Sequence, residues 1–309
     1  MSSKRDFLSL ADLTPAEFNE WLHYAIELKR EWQAGGNPPL LKNKTLGMIF
    51  TKPSLRTRVS FEMAMRHLGG HALYLGPEEI GLGKRESVAD VARVLSRFVD
   101  GIMARVFAHS DLVTLAQFSR VPVINGLSDA SHPCQALGDM ITIYEQRGAL
   151  KGVNVSFIGD ANNVATELTY ACAYSGAHMT LGCPAQYQLG AEELAKAQWI
   201  AAQTGGSVTQ INDPRAAIEA ADVVYTDTWI SMGQEAEAVV KMPVFMPYQV
   251  NAQLMSYARP DTIVMHCLPA HRGQEITDEV ADHANSAIWD QAENRMHAQK
   301  AILAKLLAG

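Results

Sequence analysis

Several short segments of this chain place polar or charged side chains directly after apolar runs. Phe50-Thr51-Lys52-Pro53-Ser54-Leu55-Arg56-Thr57-Arg58 leads through a proline turn into a helical pattern carrying hydroxyls and two guanidiniums. Amide N–H groups at a helix start, joined by Ser54, Thr57 and both arginines, can hold a phosphate through charge-assisted, partly bidentate hydrogen bonds. The same residues also read as a capped helix with solvated arginines. Arg105 lies in a second apolar run, and Ser131-His132-Pro133-Cys134-Gln135 follows a third. His132 and Gln135, three residues apart at a helix start, share a face from which they can donate to a carbonyl oxygen and engage an amide. Read singly, a histidine before proline also serves as a turn or capping residue, and a lone arginine as an ion-pair residue.

The second half offers Gly159-Asp160-Ala161-Asn162-Asn163, where a glycine turn lets two asparagines and a helix N-terminus approach a ligand. It is not G-x-G-x-x-G, so the dinucleotide fingerprint is incomplete and a nucleotide-binding oxidoreductase is disfavoured. Asp227-Thr228-Trp229-Ile230-Ser231-Met232-Gly233 and His266-Cys267-Leu268-Pro269-Ala270-His271-Arg272-Gly273 again follow apolar runs. Asp227 offers a carboxylate to an ammonium, while Cys267 reads as a reactive thiol or as a small buried apolar group. His266, Cys267 and His271 sit on a single strand and turn without a second ligand cluster, which argues against a metal site.

The elements that position these residues follow from periodicity. Thr14-Pro15-Ala16-Glu17 combines a capping-box spacing with proline at the first helical position, and Phe18, Leu22, Ala25 and Leu28 then recur at helical intervals. The pattern continues with apolar runs over 45–50 and 72–75 around a helical stretch over 56–68. Helices near 87–98 and 112–118 alternate with strands near 102–107 and 121–125, which predicts one parallel sheet for this half. A helical segment over 133–146 leads to Gly148 and Gly152, where a domain boundary falls. Strands over 153–159, 179–182, 208–211, 223–226 and 263–267, with helices such as 191–204, predict a doubly wound sheet beyond it. The last helical pattern, over 293–307, either folds back on the first domain or meets another subunit.

Composition narrows the function. The 309 residues exceed the usual length of one domain, and 26 Lys and Arg against 33 Asp and Glu leave a net charge of −7, with no broad basic footprint for nucleic acid. Four scattered cysteines without a C-x-x-C pair fit a reducing compartment. The start lacks a signal-peptide core and no apolar run is long enough to cross a membrane, so the expectation is a cytoplasmic protein.

Taken together, these segments resemble the aspartate/ornithine carbamoyltransferase family. S-x-R-T-R, H-P-x-Q, D-T-W-I-S-M-G, H-C-L-P and E-N-R run in the family's order from Ser54 to Arg295, across essentially the whole chain. The resemblance implies an α/β fold of two doubly wound parallel-sheet domains with the active site in the cleft between them. Residues 1–148 would bind carbamoyl phosphate and 149–309 ornithine, with a helix over 293–308 packing back on the first domain. The implied reaction moves the carbamoyl group of carbamoyl phosphate to the δ-amine of ornithine, giving citrulline and phosphate, in arginine biosynthesis or catabolism. Putrescine or a modified ornithine is the alternative acceptor. By matching motif, Ser54, Leu55, Arg56 and Thr57 would bind the phosphate, with Arg105 also reaching it. Arg105, His132 and Gln135 would line the carbamoyl group, and Arg295 would close on the same ligand. Asn163, Asp227, Ser231 and Met232 would surround ornithine's α-amino and α-carboxylate groups, with Cys267 and Leu268 near the δ-amine and the carbamoyl group. Arg56, Arg105, His132, Gln135 and Cys267 are thereby the implied catalytic set. No metal or cofactor is implied; the partners are the two small-molecule substrates and further copies of the chain, as a homotrimer or a multiple of it.

Three departures from the family pattern stand out. Leu55 replaces a common threonine but keeps the backbone N–H, and Gly81 stands where a glutamine often reaches a neighbouring subunit's site. Thr166-Glu167 replaces a smaller polar pair, adding a carboxylate that either bears on acceptor choice or faces solvent. A non-catalytic binding protein on the same fold is the rival of another class; the complete set Arg56, Arg105, His132 and Gln135 argues against it.

Overall fold

A computed structural model describes residues 4–230, 233 and 235–308. They form two units of α/β structure: unit 1 is Met1–Gly138 with Glu293–Gly309, and unit 2 is Asp139–Ala292. The division between these units falls inside two long helices, and the last helix is counted largely with unit 1.

In chain order the first part runs α1 (Pro15–Gln33), β1 (Thr45–Phe50), α2 (Leu55–His67), β2 (His71–Leu75), α3 (Pro77–Ile80), α4 (Val88–Leu95), β3 (Gly101–Arg105), α5 (His109–Phe118), β4 (Val123–Leu127) and α6 (Pro133–Arg147). The second part runs β5 (Asn154–Ile158), α7 (Asn163–Ser175), β6 (His178–Gly182), α8 (Ala191–Thr204), β7 (Ser207–Ile211), α9 (Pro214–Ile218), β8 (Val223–Thr226), α10 (Ala238–Phe245), α11 (Ala252–Met255), β9 (Ile263–His266), α12 (Asp278–Ala281) and α13 (Ile288–Leu307). The capping box read at Thr14 is present: Glu17 N–H donates to Thr14 Oγ1 at 3.2 Å and Thr14 N–H to Glu17 Oε2 at 2.9 Å.

The strands are short apolar runs, and both sheets are parallel throughout, an arrangement that requires cover on both faces and so favours strands apolar on both sides. In unit 1, Ile49, Ile102, Ala104 and Val123 pack against Val91, Leu112 and Leu115 of α4 and α5. In unit 2, Ile158, Val224 and Val264 pack with Ile218, Val250, Ile276 and Ile288.

Strand order decides where ligands can sit. Unit 1 has the order β2-β1-β3-β4 and unit 2 the order β7-β6-β5-β8-β9. The winding direction reverses between β1 and β3 and between β5 and β8, and a parallel sheet opens a crevice at the carboxyl ends of the strands flanking such a switch. The Ser54 motif follows β1 and Arg105 ends β3; Gly159 to Asn163 follows β5 and Asp227 follows β8. Each sheet thus delivers its polar motifs to its own switch point.

Candidate active site

In unit 1 the site begins at the start of α2. Ser54 is the N-cap, its Oγ accepting from Thr57 N–H at 3.3 Å and donating to Thr57 Oγ1 at 3.1 Å. Those bonds leave the first turn of a 13-residue helix presenting N–H groups and a partial positive charge outward. Leu55 is 75% exposed, so the residue that replaces a hydroxyl contributes backbone alone. Arg56 is half-buried, whereas Arg58 is exposed and engaged elsewhere: its Nε reaches Glu62 at 3.0 Å and its guanidinium lies 4.2 Å from the Tyr74 ring centroid. The expectation that both arginines share one phosphate therefore fails for Arg58. Helical spacing puts residues two apart on different faces.

Arg295, from α13, joins the same place. Its Nη2 donates to Thr57 Oγ1 at 2.8 Å, with both residues buried. The approach needs a glycine: a Cβ on Gly138 of α6 would lie 3.2 Å from the Arg295 main chain. His132 caps α6, its carbonyl accepting from Gln135 N–H at 3.1 Å, and both side chains are buried. Burial first, then the charges of Arg295, Arg105, Lys52 and Arg56, holds His132 well below the ordinary imidazole range. The ring is therefore neutral near pH 7, able to donate one N–H, and its Nδ1 has no hydrogen-bond partner among the described residues.

Lys52 was not singled out as a site residue by its sequence, because a lysine before a proline turn carries no distinguishing pattern. The structure buries it and sets its ammonium 4.6 Å from the Phe107 ring centroid. Burial, and then the charge of Arg105, lowers its pKa to about 8 against a smaller opposing pull from Asp129. Lysine and arginine charges gathered around a neutral imidazole make unit 1 a cradle for a multiply charged anion.

In unit 2, Asn162 caps α7, its Oδ1 accepting from Val164 N–H at 2.9 Å and Ala165 N–H at 3.2 Å, while its Nδ2 donates to Asp227 Oδ2 at 2.8 Å. Asp227 also accepts from Thr228 N–H at 2.7 Å and from the Cys267 thiol at 3.0 Å. The carboxylate is 6% exposed and held by three donors, which suits a cation presented to it. Asn163 opens α7 and is half-buried. Gly159 has φ +132°, and a Cβ there would sit 3.4 Å from the buried Trp229 indole, so the turn before Asp160 is closed to side chains. Ser231 and Met232 lie outside the described residues.

Leu268 has φ +59°, a left-handed conformation that costs a branched side chain energy and must be held from outside. His266 supplies the hold: Leu268 N–H donates to its Nδ1 at 2.9 Å, so Nε2 carries the proton and donates to Glu275 at 3.0 Å. Glu275, fully buried and nine residues downstream, gave no sequence signal. Ligating atoms of Asp227, His266 and Cys267 lie within 4.8 Å of one another. Both imidazole nitrogens are already committed to Leu268 and Glu275, so a metal there must first displace one of those bonds. Cys267 is 8% exposed, as the reading of it as a small buried group has it, and its thiol donates to Asp227. Glu167 is 1% exposed, which removes the solvent-facing alternative. A buried ion pair, Lys241 Nζ to Asp160 at 3.0 Å, ties α10 to the end of β5 and was likewise invisible in the sequence.

An anion cradle in one unit and a carboxylate-centred pocket in the other are what a group-transfer enzyme with an anionic donor and an aminated acceptor requires. The chain belongs to the aspartate/ornithine carbamoyltransferase family: residues 5–145 match the model of its carbamoyl-P binding domain, and residues 151–306 that of its Asp/Orn binding domain. It is 54% identical to the anabolic ornithine carbamoyltransferase of Pyrococcus furiosus, covering 99% of this chain and 97% of that protein. A solved structure of ornithine carbamoyltransferase from Pyrococcus furiosus matches with a TM-score of 0.95 and 53% identity, covering 99% of this chain and 98% of that one. A structure of acetylornithine transcarbamylase complexed with acetylcitrulline matches with a TM-score of 0.88 at 32% identity, covering 98% and 99%.

Proposed function

We propose that the protein transfers the carbamoyl group of carbamoyl phosphate to the δ-amine of L-ornithine, giving L-citrulline and phosphate, in the direction of arginine biosynthesis. Residues 1–148 are assigned to the donor and 149–309 to the acceptor, with the helix over 293–308 completing the donor domain. Ser54, the Leu55 N–H, Arg56, Thr57 and Arg105 take the phosphate; Arg105, His132 and Gln135 face the carbamoyl group, and Arg295 braces Thr57. Asp227 takes the acceptor's α-ammonium with Asn163, Ser231 and Met232 around the α-carbon substituents, while Cys267 and Leu268 lie toward the δ-amine.

The chemistry needs no covalent intermediate. The neutral δ-amine attacks the carbamoyl carbon, negative charge develops on the carbonyl oxygen, and the C–O bond to phosphate breaks. Arg105, Thr57 and His132 stabilise that oxygen, Arg56 stabilises the leaving phosphate, and phosphate accepts the amine's proton. A neutral His132 serves this better than an imidazolium, which would only add charge to a site already rich in cations.

The observation that carries the choice of acceptor is the buried Asp227 carboxylate with its three donors. An anion there attracts a free α-ammonium, has nothing to pair with in an acetylated amine, and repels the extra carboxylate of aspartate. The test is product formation from carbamoyl phosphate with ornithine, acetylornithine, aspartate and putrescine. Ornithine is expected to exceed each of the others by at least tenfold in kcat/KM, about 1.4 kcal/mol; equal turnover of putrescine or acetylornithine overturns the assignment.

Assembly as a homotrimer or a multiple of it and a cytoplasmic location belong to the same proposal. Exposed Leu55, Val59 and Leu73, on α2 and the edge strand β2, support self-association, and a light-scattering mass equal to a single 33.8 kDa chain contradicts it.

Two ionisations act in opposite directions. A free alkyl ammonium titrates at about 10.4, so kcat/KM for ornithine rises with pH between 6 and 9 as the neutral amine becomes available. Lys52, at about 8, loses its charge over the same range. An anion beside it raises that pKa, so donor affinity is full below about 8 and declines as the pH rises through it. Calorimetric titration of carbamoyl phosphate, whose charge does not change over this range, shows the decline between pH 7 and 9, and Lys52→Met removes it; an unchanged decline in that variant excludes Lys52 as its source.

A further inference from the structure

Unit 2 buries a carboxylate that the reaction above does not use. Asp139, in α6, has no exposed surface; its Oδ1 accepts from Gln291 Nε2 at 2.8 Å and its Oδ2 from the Tyr225 hydroxyl at 3.2 Å. Gln291 and Tyr225 are equally buried. The amide oxygen of Gln291 accepts in turn from the His266 main-chain N–H at 2.8 Å.

The two ends of this chain of bonds are significant. Tyr225 lies in β8 two residues before Asp227, and His266 ends β9 one residue before Cys267. β9 is an edge strand, so the Gln291 amide satisfies a backbone N–H that no further strand can reach. The geometry leaves Gln291 one orientation. Its oxygen must meet an N–H, so its NH2 must meet an acceptor, and an ionised Asp139 accepts from Gln291 and Tyr225 at once. Burial, and next the charge of Asp139, pushes the Tyr225 hydroxyl well above the ordinary phenol range, which keeps it a donor. One carboxylate is thereby bonded, directly or through one amide, to both strands whose ends bring Asp227 and Cys267 into contact at 3.0 Å.

We propose that Asp139 is a positioning residue for the acceptor: through Tyr225 and Gln291 it sets the spacing of Asp227 and Cys267, and so the pose of the amino acid they hold, without touching it. This rests on the assignment of Asp227 and Cys267 to the acceptor made above. Asp139→Asn keeps the shape, but its NH2 either opposes the NH2 of Gln291 or turns the Tyr225 hydroxyl from donor to acceptor, which takes from that hydroxyl the carboxylate that received its proton. Gln291→Glu in the same chain repairs the mismatch, since its carboxylate accepts from both the new amide at position 139 and the His266 N–H.

The test is steady-state kinetics of the full-length Asp139→Asn, Tyr225→Phe and Asp139→Asn/Gln291→Glu proteins, varying each substrate separately. A buried hydrogen bond lost from such a network is worth about tenfold in an equilibrium, so KM for ornithine is expected to rise about tenfold in Asp139→Asn, with KM for carbamoyl phosphate unchanged. Tyr225→Phe, which removes one donor and leaves the Gln291 arm, shows a smaller rise in the same constant. The double variant returns it to within about threefold of the parent. An unchanged KM for ornithine in both single variants, or equal rises for both substrates, overturns the proposal. Absence of any ornithine-dependent turnover in the parent protein strikes the functional assignment instead, so the two failures are distinguishable.

Discussion

Arg105→Ala lowers kcat by about 10²–10³-fold, the usual consequence of removing one donor from a developing oxyanion. The residue's place in the sheet is set by its main chain. Arg105 ends β3 in register with Phe50 and Leu127, and its carbonyl accepts from Thr51 N–H at 2.9 Å; all of these are main-chain relations. The guanidinium is half-buried, and its charge bears on Lys52 and His132. Arg105→Lys retains charge but not the planar fork, and recovers only part of the loss. Steady-state assays at saturating substrates check this, and unimpaired kcat in Arg105→Ala refutes the role.

The second large effect is at the acceptor. Asp227→Asn raises KM for ornithine by about 10²-fold or more, in the range seen when one partner of a buried, hydrogen-bonded charge pair is removed. An asparagine there has one acceptor oxygen where the carboxylate serves Asn162, Thr228 and Cys267, and its NH2 must face one of those donors. The cradle in unit 1 is untouched, so phosphate binding measured by calorimetry stays at the parent value. Loss of both affinities together means the substitution has unfolded more than the pocket.

Most of what positions the site is local, and local features are legible in a sequence. The strands over 45–50 and 223–226 and the helix over 191–204 coincide with β1, β8 and α8, because each is a clean apolar run or period bounded by turn residues. The Ser54 cap and the Thr14 capping box are likewise contained within four residues. Other elements gave no such signal. α10 contains Pro243, and α9, α11 and α12 are four or five residues long, too short for a 3.6-residue period to show.

The relations hardest to read are between residues far apart in the chain. Arg295 meets Thr57 across 238 positions, and Gln291 meets Asp139 across 152. No periodicity encodes these bonds; they exist because winding brings the carboxyl ends of particular strands and two long helices together. Lys52 and Glu275 belong to the same category, ordinary in sequence and decisive only once burial removes water from around their charges. Arg58 is the reverse case: its motif pointed to a phosphate, and helix geometry turned it to Glu62.

The central claim is that the groups gripping phosphate and the carboxylate receiving the α-ammonium act on one pair of reacting molecules. A bisubstrate analogue, a phosphonate joined through an acetyl group to the δ-nitrogen of ornithine, tests it by calorimetry on the parent, Arg56→Ala and Asp227→Asn proteins. The account predicts tight binding to the parent and at least tenfold weaker binding in each variant, about 1.4 kcal/mol apiece. Undiminished affinity in either variant contradicts it.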